Sequence, residues 1–198
     1  VIFDMHICVS GNIGAGKTTL TYLLSKYFGF EAMYEDNDQN PYLLDFYSDM
    51  PRWSFNLQVS FLQSRLKKLT AITKENRNVI QDRTIYEDAQ IFAPNLYAMG
   101  LMHARDYDTY KELFDTIADL VKPPDLLIYL RASIPKLVEQ IQDRGRKYED
   151  SIRLDYLKKL NDTRLGTKAI PTAKKLKYPS KTSTSETIQN TLASSSTE

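Results

Sequence analysis

The amino-acid sequence predicts an α/β fold of the doubly wound type, in which helices cover both faces of a mostly parallel sheet. Two observations support this prediction. Short apolar segments alternate with longer segments of helical periodicity along most of the 198 residues. The apolar segment at 125–132, DLLIYLRA, is also continuous rather than alternating, as is typical of a central parallel strand that is buried on both faces.

Four strands are predicted, and the first leads directly into a glycine-rich loop. It spans residues 5–9, MHICV, and the other three span 31–35, 78–82 and 125–132. The segment between the second strand and the next predicted helix contains Pro41 and Pro51 and is predicted to be irregular.

Helices are predicted between the strands, where apolar residues recur at helical spacing. The first, at 18–28, ends at Gly29, a residue type that commonly terminates helices. A long helix at 53–75 carries a continuous apolar stripe, and a shorter helix at 110–121 is stopped by two prolines. The last predicted helix begins at residue 134 and runs into an arginine-rich turn.

The composition limits the classes of function. A net charge of +1 gives no indication of a nucleic-acid or membrane partner, and the longest apolar runs are too short to span a bilayer. The first residues lack the pattern of a signal peptide, and the single cysteine, Cys8, fits a reducing compartment, so a cytoplasmic location is expected. His6 and His103 stand apart from any metal-binding pattern and are interpreted as structural.

Residues 10–19, SGNIGAGKTT, contain the phosphate-binding pattern G-x-x-x-x-G-K-[ST]. The glycines allow backbone N–H groups to turn toward phosphate, and the helix that follows adds partial positive charge. Lys17 supplies a full charge to the β- and γ-phosphates, and the Thr18 hydroxyl can ligate Mg²⁺. The predicted ATP-binding residues of this loop are Gly11, Asn12, Ile13, Gly14, Ala15, Gly16, Lys17, Thr18 and Thr19.

Phosphate-binding loops serve several classes of protein, and the sequence excludes most of them. The N-K-x-D motif of GTPases and the L-S-G-G-Q signature of ABC-type ATPases are both absent, and a motor or helicase needs a longer chain. A small phosphotransferase remains, in which the acceptor sits over the same loop.

Five segments, taken together, resemble the deoxynucleoside kinase family, whose members act on deoxyadenosine, deoxyguanosine or deoxycytidine. In chain order they are GNIGAGKTT, YEDNDQNPYL, RWSFNLQ, DRTIYED and RGRKYE. Of these, YEDNDQNPYL most resembles the bacterial members that act on purine deoxynucleosides. The resemblance covers residues 5–161 and implies a P-loop kinase fold with a helical lid. It also implies Mg²⁺–ATP-dependent phosphorylation of the 5′-hydroxyl of a deoxynucleoside in nucleotide salvage, by a cytoplasmic homodimer.

The resemblance implies catalytic roles for Lys17 and for three residues at the ends of predicted strands. Glu35 matches a glutamate beside the 5′-hydroxyl, where a carboxylate can accept the hydroxyl proton. Arg83 is expected to steady Glu35 and to meet charge on the transferring phosphoryl group. Asp82 is expected to hold Mg²⁺ together with Thr18, or to take the proton itself. The sequence leaves the choice of base open, with Glu35 favoured.

Four further residues match family residues that contact the nucleobase. Gln58 and Arg65 are separated by nearly two helical turns and therefore point the same way. The resemblance pairs Gln58 with the edge of the base, and Arg65 and Asp88 with its polar groups. Phe92 matches an aromatic residue that stacks on the base. An Arg–Asp pair suits adenine, guanine or cytosine better than thymine, so thymidine is expected to be a poor substrate.

The remaining matches concern the sugar and the lid. Tyr47 and Glu149 match residues that contact the sugar 3′-hydroxyl, and Arg144 and Arg146 match lid arginines that close over the donor phosphates. Charge that arrives on closure stabilises the transition state more than the ground state.

Two other functions stay open. A nucleoside monophosphate kinase, such as thymidylate kinase, shares the loop, the Asp-Arg pair and an arginine lid. Its acceptor already carries a phosphate and therefore needs a cation at the position of Glu35, where this sequence has the acidic segment YEDND. A nucleotide-binding protein without catalysis is the second alternative, and the C-terminal segment motivates it. In residues 162–198, 14 of 37 residues are Ser or Thr, a composition typical of disordered segments, and no final strand is predicted there. The folded kinase domain is therefore assigned to residues 1–161.

Overall fold

The computed structural model describes residues 5–35, 37–75, 77–163 and 174–179. Five strands form one sheet in the order β2-β3-β1-β4-β5, and each neighbouring pair is parallel. The predicted parallel α/β fold is therefore confirmed. The strands are β1 (His6–Gly11), β2 (Glu31–Met33), β3 (Val79–Asp82), β4 (Leu126–Arg131) and β5 (Lys174–Pro179).

Helices connect these strands, and in the described ranges none of them has the length and apolarity needed to cross a bilayer. The α-helices are α1 (Lys17–Phe28), α2 (Leu43–Ser48), α3 (Met50–Glu75), α4 (Ile85–Glu87), α5 (Ala93–Ala98), α6 (Ala104–Ala118), α7 (Ile134–Arg144) and α8 (Leu154–Asp162). A π-helical turn, Asp88–Phe92, joins α4 to α5, and 3₁₀ turns span Asn37–Gln39 and Lys147–Ser151. The long helix begins at Met50 rather than at 53, because Pro51 is tolerated in the first turn of a helix.

The two faces of the sheet are covered by different helices, as β1 illustrates. Successive residues of a strand point to opposite faces. Ile7 and Val9 belong to a buried cluster with Leu24 of α1, whereas Cys8 belongs to another cluster with Leu62 of α3. Cys8 therefore packs in the protein core.

The fifth strand was not predicted. Lys174–Pro179 pairs with β4 from Leu126–Lys174 to Arg131–Pro179, so the expectation that no strand follows residue 161 was wrong. The sequence KKLKYP carries three lysines, which are frequent on edge strands, and it lacks the apolar run that identifies a central strand. Residues 164–173 and 180–198, which supply most of the Ser and Thr behind the disorder prediction, lie outside the described residues.

Both histidines have structural partners, in agreement with the sequence interpretation. His6 Nε2 lies 2.8 Å from Gln81 Oε1 in the protein interior. The His103 ring accepts a hydrogen bond of 3.3 Å from the Arg105 N–H and thereby caps the start of α6.

Candidate active site

The carboxyl ends of β1, β2 and β3 bring the phosphate-binding loop and the predicted acids to one edge of the sheet, where ligands bind in open α/β folds. Gly11 ends β1, Glu35 follows β2, and Asp82 ends β3. Glu35 and Arg83 meet there, since Arg83 Nε lies 3.2 Å from Glu35 Oε1. Residues at the ends of β2 and β3 are therefore in direct contact.

A cavity at this edge brings together predicted residues from the loop, the strand ends, α2, α3 and the lid. The predicted residues in its wall are Ile13, Gly14, Lys17, Thr18, Glu35, Tyr47, Gln58, Arg65, Asp82, Arg83, Asp88, Phe92, Arg144, Arg146 and Glu149. The predicted loop residues outside the wall are Gly11, Asn12, Ala15, Gly16 and Thr19.

The Asn12 side chain holds the phosphate-binding loop against a neighbouring helix. Its Nδ2 donates to the Leu157 carbonyl oxygen of α8 at 3.1 Å, and its Oδ1 accepts from the Ile13 N–H at 2.7 Å. The side chain therefore anchors the loop to α8, and only the backbone of Asn12 remains for a phosphate.

The loop has the backbone geometry that a phosphate cradle requires. Gly14 and Gly16 have φ angles of +80° and +86°, in the left-handed region that favours glycine. Lys17 is 8% exposed, and its Nζ donates to the Asn12 carbonyl oxygen at 2.9 Å. Burial and, after it, the nearby Arg83 lower the pKa of Lys17 to about 8. A bound polyphosphate would favour the charged form of this lysine.

Thr18 and Asp82 form the pair of oxygen groups that was predicted to hold Mg²⁺. Thr18 Oγ1 donates to Asp82 Oδ2 at 2.6 Å. Asp82 Oδ1 is buried and, among the described residues, has no hydrogen-bond partner. A hydroxyl and a carboxylate side by side suit Mg²⁺, which prefers oxygen ligands and takes few of them from the protein. The residues present therefore fit the ion.

Hydrogen-bond donors hold both oxygens of Glu35. Arg65 donates to Oε1, the oxygen that also faces Arg83, and Asn37 Nδ2 donates to Oε2 at 3.0 Å. Burial alone raises the pKa of Glu35, but Arg83, Arg65 and then Lys17 outweigh burial and lower the pKa to about 2. The carboxylate is thus charged at neutral pH and is a well-oriented hydrogen-bond acceptor but a weak base.

Arg83 occupies an unusual backbone conformation between two carboxylates. Its φ of +70° lies in the left-handed region, which costs a non-glycine residue about 1–2 kcal/mol. Its guanidinium lies 4.5 Å from the centre of the Phe92 ring, and its Nη1 lies 3.3 Å from Glu87 Oε1. Burial opposes the charge of Arg83, but Glu87 and Glu35 more than compensate and raise the pKa of Arg83 above its ordinary value.

The predicted base-binding residues lie together deeper in the cavity. Arg65 donates to Asp88 Oδ2, and its guanidinium lies 4.7 Å from the centre of the Phe61 ring. Burial raises the pKa of Asp88, against the opposing effect of Arg65. Gln58 is 2% exposed, and its Oε1 has no hydrogen-bond partner among the described residues. This part of the cavity therefore presents an acceptor, a carboxylate and a guanidinium to a planar ligand.

The lid segment, residues 144–149, contacts the cavity through Glu149, which is 6% exposed. Its carboxylate accepts from Arg144 Nε at 3.0 Å and from Arg144 Nη2 at 2.5 Å, and Arg146 Nη1 lies 3.8 Å away. Tyr47 and the lid residue Tyr148 stack with ring centres 6.1 Å apart. The structure thus brings the predicted sugar contacts and the predicted lid arginines into one cluster.

Sequence reasoning missed two polar residues of the site. Asn37 orients Glu35, and Glu87 joins Arg83 to the start of the phosphate-binding loop through a 3.0 Å bond from the Gly11 N–H. Asn37 lies within YEDNDQNPYL and Glu87 within DRTIYED, but the resemblance assigned a role to neither of them.

These features define a P-loop kinase whose acceptor site is lined by both acids and arginines. Residues 7–176 match a family model described as "Deoxynucleoside kinase". This match extends beyond residue 161, where the resemblance found in the sequence ends. The chain belongs to the deoxynucleoside kinase family.

Two relatives illustrate the similarity. The chain is 43% identical over 155 residues to a deoxyadenosine kinase of Dictyostelium discoideum, a match that covers 78% of this chain and 63% of that protein. It is 43% identical over 145 residues to a deoxyadenosine/deoxycytidine kinase of Bacillus subtilis (strain 168), covering 72% and 67% of the two chains. The chain thus spans about two thirds of the length of these relatives.

A solved structure of deoxyadenosine kinase from M. mycoides with bound dATP superposes with a TM-score of 0.85. The two sequences are 29% identical, and the match covers 96% of this chain and 100% of the other. A structure of the M. mycoides enzyme with bound dCTP gives the same TM-score, at 30% identity.

Proposed function

We propose that this chain transfers the γ-phosphoryl group of ATP to the 5′-hydroxyl of a deoxynucleoside that carries adenine, guanine or cytosine. The observation that carries the proposal is the contact between Glu35 and Arg83 at the sheet edge, in the same cavity wall as Lys17. A carboxylate for the hydroxyl and a cation for the phosphoryl group lie side by side, as the reaction requires.

The loop and Lys17 are the donor side of this site. Backbone N–H groups of the loop and the Lys17 ammonium bind the β- and γ-phosphates, and Thr18 and Asp82 would hold Mg²⁺. When bound, Mg²⁺ would supply positive charge that neutralises negative charge on the donor phosphates. The hydrogen bond between Thr18 and Asp82 supports a metal-binding role for Asp82 over a role as base.

Glu35 then acts on the acceptor hydroxyl. Its carboxylate, held by Arg65, Arg83 and Asn37, orients the 5′-hydroxyl. The lowered pKa of Glu35 favours proton transfer late in the reaction. Phosphoryl transfer passes through a loose transition state, which needs little proton removal before the new bond forms. Arg83 stabilises the charge on the group in transfer.

The base pocket supports recognition of adenine, guanine or cytosine. Gln58 and the pair Arg65–Asp88 offer donors and acceptors to exocyclic amino groups and ring nitrogens, which thymine presents differently. The names of the two similar proteins given above include deoxyadenosine and deoxycytidine. Resemblance to the family also supports action in nucleotide salvage as a cytoplasmic homodimer.

The acids of the site favour an uncharged acceptor over a nucleoside monophosphate. A 5′-phosphate would lie beside the Glu35 carboxylate, and two negative charges in contact repel each other. The presence of two arginines on Glu35 lowers this repulsion without removing it, because both are already paired with carboxylates.

A substrate panel tests the proposal. We expect wild-type protein with Mg²⁺–ATP to phosphorylate at least one of deoxyadenosine, deoxyguanosine and deoxycytidine, and to act poorly on thymidine and on deoxyadenosine monophosphate. Phosphorylation of the monophosphate alone would assign a nucleoside monophosphate kinase. Binding of ATP with no turnover of any acceptor would assign a nucleotide-binding protein without catalysis.

A further inference from the structure

Glu87 is a buried acid within the DRTIYED segment, to which no role was assigned from the sequence. It is 1% exposed and ends the short helix α4. Its Oε1 accepts a hydrogen bond of 3.0 Å from the Gly11 N–H and another of 3.3 Å from Arg83 Nη1. Its Oε2 is buried and has no hydrogen-bond partner among the described residues. Glu87 lies behind the cavity wall rather than in it.

The local backbone fixes where this carboxylate lies. The Thr84 hydroxyl accepts a hydrogen bond of 3.2 Å from the Glu87 N–H and caps the start of α4. Arg83 directly precedes this cap with a φ of +70°, and its Nη1 lies 3.3 Å from Glu87 Oε1 in the first turn of the helix. The same segment therefore supplies both members of the ion pair.

The other partner of Glu87 is the first glycine of the phosphate-binding loop. Gly11 is tightly surrounded, because a Cβ built on it would lie 2.7 Å from the Leu130 carbonyl oxygen. β4 thus limits the position of Gly11 from one side, and the bond to Glu87 fixes its N–H from another. This N–H is directed to the carboxylate rather than to a phosphate.

A buried carboxylate is costly unless charged or polar partners compensate it. Here the compensation comes from Arg83, whose guanidinium lies between Glu87 behind it and Glu35 in the cavity. Removal of Glu87 would leave Arg83 with one carboxylate, on the substrate side only. Its left-handed backbone conformation would then lose a contact that helps to hold it.

We propose that Glu87 is a positioning residue, which fixes Arg83 and the beginning of the phosphate-binding loop relative to each other. One carboxylate thereby sets the distance between the cation that meets the transferring phosphoryl group and the loop that cradles the donor. This inference rests on the proposed kinase function. Glu87 acts through Arg83 and Gly11 and does not touch the substrate.

The expected consequence is a loss of rate rather than of binding. In Glu87→Gln the amide oxygen can still accept from Gly11, but the charge that opposes Arg83 is gone. Loss of a hydrogen bond to a charged group typically corresponds to about 10–100-fold in an equilibrium or rate constant, and we expect kcat to fall within this range. The Kd for the deoxynucleoside should change by less than about threefold, since the base pocket is untouched.

The experiment measures kcat, the Kd for deoxynucleoside and the Tm for wild type, Glu87→Gln and Glu87→Asp. Glu112→Gln, at an exposed glutamate of α6, is the matched control. Glu87→Asp keeps the charge but withdraws it by one methylene, so its kcat should lie between those of Glu87→Gln and wild type. If Glu87→Gln does not fold, Glu87→Asp carries the test, and a wild-type kcat in that variant would overturn the proposal.

Action through Arg83 has a second readout. In an Arg83→Lys background, Glu87→Gln should lower kcat much less than it does in wild type, because the group that Glu87 positions has been removed. A wild-type kcat in folded Glu87→Gln, or equal effects in both backgrounds, would contradict the proposal. Failure of the proposed function itself would be distinct, since wild-type protein would then phosphorylate no deoxynucleoside.

Discussion

The donor side and the acceptor side of the cavity are built in different ways. The donor side comes mainly from one contiguous stretch, residues 10–19, and depends mainly on backbone geometry, with Asp82 added from the end of β3. The acceptor side comes from side chains that are distant in sequence. Arg65 of α3 forms ion pairs with Glu35, which follows β2, and with Asp88, which follows β3. Phosphate binding is therefore a local property of this chain, whereas the choice of acceptor depends on how its helices and strands pack together.

Substitution of Lys17 should have the largest effect and should break the donor side alone. In Lys17→Met the ammonium that meets the β- and γ-phosphates is lost, and we expect kcat to fall by about 10³-fold or more. Steady-state kinetics with deoxyadenosine and Mg²⁺–ATP measure this fall in kcat. Binding of the deoxynucleoside, followed by calorimetry, should stay near wild type, and a loss of both functions would contradict the separation of the two sides.

Substitution of Asp88 should break the acceptor side alone. Asp88→Asn removes a buried charge that Arg65 pairs with, and a hydrogen bond to a charged group contributes about 1.5–3 kcal/mol. We therefore expect kcat/KM for the preferred deoxynucleoside to fall about 10–100-fold, with the KM for ATP unchanged. Asp108→Asn, at an exposed position of α6, serves as the control. An equal rise in the KM for ATP would show that the two sides are not independent.

The glycines of the loop offer a smaller test of the donor backbone. A Cβ at Gly14 would lie 2.8 Å from the Leu137 carbonyl oxygen, whereas a Cβ at Gly16 meets nothing within 4 Å. Both have positive φ, so Gly16→Ala carries backbone strain of about 1 kcal/mol and Gly14→Ala adds a clash to it. We expect Gly14→Ala to lower the Tm and to raise the KM for ATP more than Gly16→Ala does. The reverse order would contradict the loop geometry.

The pH dependence of ATP binding should be the smallest effect. Since the pKa of Lys17 is lowered to about 8, Lys17 loses its charge as the pH rises through 8 in the ATP-free protein. The Kd for Mg²⁺–ATP should therefore rise between pH 7 and pH 9, by at most about tenfold. Calorimetric titrations at several pH values measure this change. Lys17→Met should show a flat profile over the same range, and a flat profile in wild type would contradict the assignment.

Features that depend on a local stretch of residues could be predicted from the sequence, whereas features that depend on contacts between distant residues could not. β4 was predicted because its buried residues form a continuous apolar run, and β5 was not, because an edge strand needs no such run. The loop was identified by its own pattern, and Glu35 and Arg83 by resemblance to a family. Glu87 escaped prediction because its importance arises from a contact with Gly11, 76 positions earlier in the sequence.

Glu35 is where the two sides meet, and its substitution tests the central claim most directly. The measurement is the single-turnover rate of deoxyadenosine phosphorylation in Glu35→Gln and wild type, at saturating Mg²⁺–ATP and deoxynucleoside. If the carboxylate orients the 5′-hydroxyl, the rate should fall by about 10²–10⁴-fold, with the Kd for deoxyadenosine within about threefold of wild type. A near-normal rate in folded Glu35→Gln would contradict the account and would transfer the role to Asp82.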